Sequence, residues 1–156
     1  MDIFKAYATS PALEREGKDC DFGDVTFKIA RSGGHQYNEM LTKRFEAFKH
    51  MLDLKDTQEQ RDAAEERSLK IMAEVMAHTV LLGWTGNVAF KGETLAYSKE
   101  NAQMLLEVKE FQNEIAKKAH DYRIYRFATE EADAKNSPTT SSGTSPGAAN
   151  LSISTA

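Results

Sequence analysis

The stretch VTFKIARSGGHQYNEML, residues 25–41, changes its spacing of apolar residues halfway along. Val25, Phe27 and Ile29 alternate with smaller or polar residues, which is the period-two pattern of a strand with one buried face. A pair of glycines interrupts this pattern, and the apolar residues that follow recur every three or four positions. The stretch therefore predicts a strand that ends in a turn and leads into a helix.

The flanking sequence extends this prediction in both directions. Upstream, Gly17 and Gly23 are candidate turns, so a small antiparallel sheet of about two strands is the simplest interpretation. Downstream, residues 36–53 carry one apolar stripe at helical spacing. We therefore predict an α+β fold that is mostly α, with a small N-terminal antiparallel β element followed by about four helices.

The sequence also contains signals for where the later helices begin and end. Thr57 and Gln60 match the capping box, and the helix they open is charged in its first half and apolar in its second. We expect the second half to be the more deeply buried and Gly83 to end the helix. Ser98 is the N-cap candidate of the next helix, and the last helix should continue to about Arg126.

The only tryptophan, Trp84, lies between two glycines in a segment that we interpret as a loop. We expect its ring to fold back onto the apolar half of the second long helix and pin the loop, with Leu95 and Tyr97 packed nearby. Direct contact with a partner protein is the alternative. Trp84, Phe90, Leu95 and Tyr97 are the candidate loop-pinning or partner-binding residues.

Composition limits the class of protein. The chain has 156 residues, a net charge of −4 and a pI near 5.6, which fits one domain and argues against a nucleic-acid partner. No segment approaches the apolar length of a membrane helix, and the N-terminus lacks the pattern of a signal peptide. Cys20 is the only cysteine, and Asp19 and Asp21 beside it should raise its pKa. These features predict a cytosolic protein without an internal disulfide.

A change of composition divides the chain near Asn136. Residues 137–156 contain no charged side chain and are mostly Ser, Thr, Gly, Ala and Pro. Such a segment buries too little apolar area to offset the entropy lost on ordering. We therefore predict a single domain over residues 1–136 and a disordered, flexible tail over 137–156, whose removal should leave the melting temperature almost unchanged.

The residue patterns of common catalytic and cofactor sites do not occur in this sequence. The four histidines are isolated, and there is no GxxxxGK[ST], GxGxxG or GxSxG segment. Adjacent carboxylates such as Glu65 and Glu66 would point in different directions on a helix and could not share a proton. We therefore predict no catalytic, cofactor or metal residues and no enzymatic activity. An interaction module and a structural subunit remain as alternatives.

The order of short motifs over residues 81–106 is recognisable. An apolar helix end, a Gly-Trp pair, a turn, a further glycine, an extended segment and a Ser-x-Glu-Asn helix start follow one another. In this chain they are Leu82-Gly83-Trp84, Gly86-Asn87-Val88, Gly92-Glu93, Leu95-Ala96-Tyr97 and Ser98-Lys99-Glu100-Asn101-Ala102, then Leu105-Leu106. With FKIARSGGHQYNEML upstream, this order resembles the tail assembly chaperones of long-tailed bacteriophages. The resemblance covers roughly residues 13–136, although AFK stands where family members usually carry an aspartate, and His35 replaces a small residue.

The resemblance implies a role without catalysis. Members of that family bind the long helical tape-measure protein and keep it soluble until tail tube subunits polymerise around it. We therefore expect the tape-measure protein and the tail tube protein as partners, with no cofactor, no nucleic acid and no membrane. The host cytoplasm is the expected location, rather than the mature virion, and the chain could form a homo-oligomer. The alternative is a structural virion subunit, such as a neck or tail-tube accessory protein.

The boundary near Asn136 suggests a further hypothesis. The family is commonly made in two lengths by a ribosomal slip, and Ala134-Lys135-Asn136 can be encoded as GCA AAA AAC, which contains the slippery heptamer A AAA AAC. A longer product would then share residues 1–136 and differ beyond them. The other explanation is a frayed helix end before a linker. The nucleotide sequence decides between them.

Overall fold

The computed structural model of the protein describes residues 1–127. The predicted tail and the Ala134-Lys135-Asn136 boundary lie outside this part of the chain. Within it, the elements follow one another in this order: α1 (Ile3–Tyr7), α2 (Pro11–Glu16), β1 (Lys18–Asp21), β2 (Thr26–Ile29), α3 (His35–Ala47), α4 (Lys49–Asp53), α5 (Gln58–Thr79), β3 (Leu81–Thr85), β4 (Ala89–Phe90), β5 (Glu93–Thr94), α6 (Lys99–Leu106), α7 (Lys109–His120) and a 3-10 helix (Tyr122–Tyr125).

The predicted fold class is confirmed: the described chain is mostly helical, with a small antiparallel sheet. The sheet has the strand order β1-β2-β3, and β4 and β5 form a separate hairpin. Phe27 in the central strand pairs with Cys20 on one side and with Trp84 on the other. Phe27 and Ile29 are buried whereas Lys28 between them is exposed, as the alternating pattern predicted.

The loop prediction for Trp84 was wrong. Helix α5 ends at Thr79, and β3 begins at Leu81. Gly83 and Trp84 therefore lie in a strand and not in a loop. β3 forms because its backbone pairs with β2, more than fifty residues earlier in the chain. The sheet therefore has three strands instead of the two that we expected from the N-terminal third.

Several helix boundaries also differ from the prediction. The first long helix is divided at Phe48, whose φ of −113° and ψ of 14° are not helical, into α3 and α4. The last helix ends at His120, and Asp121 then accepts a hydrogen bond from the Arg123 N–H to start the 3-10 helix. The short helices α1 and α2 were not predicted.

Helix α5 agrees closely with its sequence signals. The Thr57 hydroxyl accepts a hydrogen bond from the Gln60 N–H at 3.1 Å, and the Gln60 side chain accepts from the Thr57 N–H at 3.1 Å. This is the predicted capping box. Ala64 is the buried residue of the first half, whereas the second half contributes Ile71, Ala73, Val75, Met76 and Ala77. The second half is therefore the more deeply buried, as predicted.

The core lies where that second half meets the sheet, α6 and α7. Ile29, Leu81, Leu106 and Ile115 have no exposed surface. Tyr125 is also fully buried, and its hydroxyl donates a hydrogen bond to the Ile29 carbonyl oxygen at 3.0 Å. The hydroxyl of Tyr125 thus ties the 3-10 helix to the central strand.

Candidate functional site

The structure brings three of the four predicted site residues together. The Trp84 indole N–H donates a hydrogen bond to the Leu95 carbonyl oxygen at 3.1 Å. The Trp84 ring meets the Tyr97 ring edge to face at 5.1 Å, and the Tyr97 hydroxyl donates to the Leu81 carbonyl oxygen at 3.0 Å. These contacts link the segment before α6 to β3. A role of the four residues in pinning the chain or in binding a partner stays a prediction.

The Trp84 ring also packs against an aromatic side chain of the sheet. Its ring lies 6.1 Å from the ring of Phe27, and Phe27 in turn contacts Phe22 at 5.2 Å and Phe111 at 5.3 Å, all edge to face. Edge-to-face aromatic pairs add stability beyond the area that they bury. Trp84 therefore connects β2, β3 and the segment before α6 in one aromatic cluster.

Phe90, the fourth predicted residue, lies in the β4–β5 hairpin. The turn residues Lys91 and Gly92 have φ of 51° and 87°, the left-handed conformation that a two-residue hairpin turn requires. Phe90 is half-buried against the core, and the Lys91 ammonium lies 5.4 Å from its ring centre. Its place in the structure is that of a packing residue beside the aromatic cluster.

Cys20 lies buried in β1. Burial raises the pKa of the Cys20 thiol, Lys118 lowers it, and Asp19 raises it further. The predicted direction is therefore correct, but burial rather than the neighbouring aspartates is the main cause. Across residues 1–127, no group of three or more His, Cys, Asp or Glu side chains is arranged to hold a metal ion.

A groove lies between α3–α4 and α5, and its second part extends to α7. One part has a volume of about 740 Å³, and the adjoining part about 530 Å³. Phe45, Glu65 and Ser68 line both parts. The apolar side chains along the groove, which we call the α3–α5 groove, are Leu41, Phe45, Leu52, Ala64, Leu69 and Met72.

The walls of the α3–α5 groove carry charges of both signs. Glu46, Lys49 and Asp53 lie on the α3–α4 side, and Arg61 and Glu65 lie on the α5 side. Along α5 the groove runs from Arg61 to Met72, which corresponds to about 16 Å, or three helical turns. Its shape and lining suit a short amphipathic segment better than a compact polar ligand.

Two contacts of charged side chains hold α3 and the residue after it beside α5. The Arg44 guanidinium pairs with the Glu74 carboxylate at 2.7 Å, and the Arg67 guanidinium stacks over the Phe48 ring at 4.6 Å. Neither α3 nor α4 contributes a buried residue. Their apolar stripe is thus only partly covered by α5.

The groove was not predicted, although the sequence contains its signal. An apolar stripe over residues 36–53 is followed by a helix whose first half is dense in charge. A stripe that faces such a half-helix cannot be fully buried, so a partly open apolar surface is the expected result.

Comparison with protein families identifies the family to which the chain belongs. Residues 35–136 match the family model described as the YdaY prophage protein. The chain therefore belongs to the YdaY prophage protein family and is a phage-derived protein. Neither a curated protein nor a solved structure matches the chain at a significant level.

The matched region contains the whole α3–α5 groove. It starts at His35, the first residue of α3, so it includes Trp84 and Tyr97 but not Phe27 or the strands β1 and β2. Within residues 1–127, no helix has both the length and the apolar composition that a membrane crossing requires.

Proposed function

We propose that this phage-derived protein is a non-catalytic assembly chaperone of tail morphogenesis. Its client would be the tape-measure protein, one helical segment of which binds in the α3–α5 groove until tail tube subunits assemble. Family membership supports the phage setting, and the resemblance to tail assembly chaperones supports the role. The observation that carries the proposal is the open groove with its line of half-buried apolar side chains.

The groove offers what an amphipathic helix needs. Leu41, Phe45 and Leu52 are half-buried along one wall, so apolar side chains of a guest helix could complete their burial. A groove of three helical turns accommodates anchors at the i, i+3 or i+4, and i+7 positions. A long helical client with such a stripe would aggregate if left free, and covering the stripe is what a chaperone must do.

The charges beside the groove would select the orientation in which a guest helix binds. Asp62, Glu65 and Glu66 line its second part, where Lys109 is the single lysine of the lining. Lys49, Lys55 and Arg61 line the first part together with acidic residues. A guest helix with basic residues at one end would be favoured in one orientation, because complementary charges fix register and raise the association rate.

A pair of neighbouring residues on α4 gives a matched test. Leu52 lines the groove, whereas Met51 beside it is exposed and is not part of the lining. The two variants Leu52→Gln and Met51→Gln should be co-expressed with the tape-measure protein of the same prophage. We expect Leu52→Gln to weaken client binding about five- to thirtyfold and to leave the client insoluble, because a lost apolar anchor costs about 1–2 kcal/mol.

Met51→Gln should retain wild-type binding and client solubility. Equal binding by both variants, with unchanged melting temperatures, would show that the client does not use the groove. No binding by the wild-type chain would refute the proposed function itself.

The composition of purified mature phage particles separates the proposal from its alternative. A chaperone of the host cytoplasm should be absent from the particle by mass spectrometry. A neck or tail-tube accessory protein should be present at a fixed ratio to the tube subunit, and that result would replace the proposal.

A further inference from the structure

The N-terminal helix carries an apolar surface that the groove does not use. Ile3, Phe4 and Tyr7 are 62%, 72% and 51% exposed, and Phe127 beside them is 38% exposed. The rings of Phe4 and Phe127 lie 6.4 Å apart, and those of Tyr7 and Tyr122 lie 5.6 Å apart. We call this surface, made of Ile3, Phe4, Tyr7, Tyr122 and Phe127, the N-terminal aromatic patch.

Hydrogen bonds hold the patch in a defined shape. The Asp2 carboxylate caps α1 by accepting from the Lys5 N–H at 3.2 Å, and the Arg126 guanidinium donates to the Lys5 carbonyl oxygen. The Ser10 N–H donates to the Tyr125 carbonyl oxygen at 2.7 Å, which ties the chain after α1 to the buried end of the 3-10 helix. The patch is thus a preformed surface.

A helix of five residues needs tertiary contacts, because so short a segment is not stable alone. Yet α1 contributes no buried residue to the described chain. Its apolar side chains are instead turned to the surface on the same side as Phe127. A preformed helix with its apolar residues exposed is typical of an interface.

We propose that the N-terminal aromatic patch binds a second copy of this chain, with α1 and the 3-10 helix of each copy facing those of the other. A twofold pairing places the same patch on both sides of the interface. The patch shares no residue with the lining of the groove, so this interface is independent of client binding. Ile3, Phe4 and Tyr7 precede the matched residues 35–136, whereas Tyr122 and Phe127 lie within them.

The exposed area fits a small dimer interface. Given the exposures above and the usual side-chain areas, the patch presents about 500 Å² of apolar surface. Two copies would bury about 1,000 Å², which is near the lower limit for a specific interface. A dimer that dissociates at micromolar concentrations is therefore expected.

The charge of the patch also favours an identical partner. None of its five side chains is charged, so two copies meet without repulsion at the centre of the interface. Asp2 and Lys5 flank it with opposite charges. A twofold axis allows Asp2 of each copy to approach Lys5 of the other copy. A membrane surface is disfavoured, because anionic lipids would repel a chain of net charge −4.

Sedimentation velocity of the full chain tests this proposal directly. The variant Ile3→Gln/Phe4→Gln removes the most exposed apolar residues of α1 while keeping good helix formers there. Met104→Gln is the control, since Met104 is 36% exposed on the distant helix α6. We expect the wild type and the control to be dimeric at about 100 µM, and the double variant to shift at least tenfold toward monomer.

A cross-linking experiment gives a second, independent measurement. Cys20 is buried, so a single introduced cysteine reports on its own surroundings. Ile3→Cys should form disulfide-linked dimers on mild oxidation much faster than Met104→Cys, because two copies of α1 lie close to the twofold axis.

Three results would overturn the proposal. They are a wild-type chain that remains monomeric, a double variant as dimeric as wild type with an unchanged melting temperature, and equal cross-linking of the two cysteine variants. Binding of the monomeric wild type to vesicles of mixed neutral and anionic lipid would assign the patch to a membrane surface instead.

Discussion

The two ends of α5 lie in different surroundings. Its second half packs against the sheet, α6 and α7, where Ile71, Val75 and Met76 are buried. Its first half faces α3 and α4, which contribute no buried residue, and there it leaves the α3–α5 groove open. One helix thus belongs to two regions. The packed region around its second half stabilises the fold, and the groove region beside its first half leaves apolar surface exposed. Substitutions in the two regions should therefore have different consequences.

The largest effect is expected at Trp84, in the stabilising region. Trp84→Ala should lower the free energy of unfolding by about 3–5 kcal/mol, because it removes a ring packed on Phe27 and Tyr97. It also leaves the Leu95 carbonyl oxygen without the indole N–H. Urea denaturation measures the loss. A variant that unfolds like wild type but fails to bind the tape-measure protein would instead assign Trp84 to client contact.

Gly86, directly after β3, should give the next largest effect. Its φ is 99°, and a Cβ there would lie 2.5 Å from the Asp24 carbonyl oxygen. Gly86→Ala should therefore cost about 2–4 kcal/mol, since backbone must move to relieve the clash. Gly83→Ala is the matched control within β3, where a Cβ meets only the Lys28 Cβ at 4.0 Å. Similar melting temperatures for the two variants would contradict the close approach of the two chain segments.

A substitution of Phe45, in the groove, should reduce client affinity more than it reduces stability. Phe45→Ala is expected to cost only about 1 kcal/mol of stability, because the ring is already partly exposed and little new cavity forms. Its affinity for the tape-measure protein should fall at least about tenfold. Calorimetric titration of purified chain measures the affinity, and thermal unfolding measures the stability. A stability loss as large as that of Trp84→Ala would remove the distinction between the two regions.

The smallest effect concerns the ion pair of α2, outside both regions. Burial raises the pKa of Glu14, but hydrogen bonds from Arg31 and Thr9 outweigh it, so the pKa lies below its usual value. A carboxyl with a lowered pKa stabilises the fold at pH values above its unfolded-state pKa. That contribution is lost as the pH falls through the folded-state pKa.

Glu14→Gln should therefore be less stable than wild type at pH 7 by under about 1 kcal/mol, with the difference disappearing once the pH has fallen below the lowered folded-state pKa. The exposed Glu16 of the same helix provides the control variant, Glu16→Gln, which should match wild type at both pH values. A difference for Glu14→Gln that persists unchanged in acid would show that the ion pair with Arg31 is not its origin.

The sequence predicted those parts of the fold that depend on local signals. The capping box of Thr57 and Gln60 and the alternation around Phe27 both formed as expected. The strand at Trp84 was missed because pairing with β2 is non-local and Gly83 masks any alternation. Helix α1 was missed because its order depends on contacts with residues 122–126, at the other end of the described chain.

The candidate site was predictable to a similar degree. Trp84 was singled out as an unusual residue, with Leu95 and Tyr97 expected nearby, and both contact it. The other rings of the cluster, Phe22, Phe27 and Phe111, were not predicted.

The groove required knowing how α3 and α4 pack along α5. Arg44 of α3 pairs with Glu74 in the second half of α5, whereas Phe48, just before α4, stacks on Arg67 in its first half. These contacts are non-local, so no local pattern in the sequence shows them.

Tyr125 has a consequence for how the chain could be rearranged. Its hydroxyl bonds to β2, its carbonyl oxygen accepts from Ser10, and the next residue bonds to Lys5. The first and last described segments therefore meet at one place on the surface. Circular permutation needs this proximity of chain ends. In a chain shortened to residues 1–127, a permutation could join residue 127 to Met1 through a short linker and open at residues 54–56, between α4 and α5, with every core strand and helix left continuous.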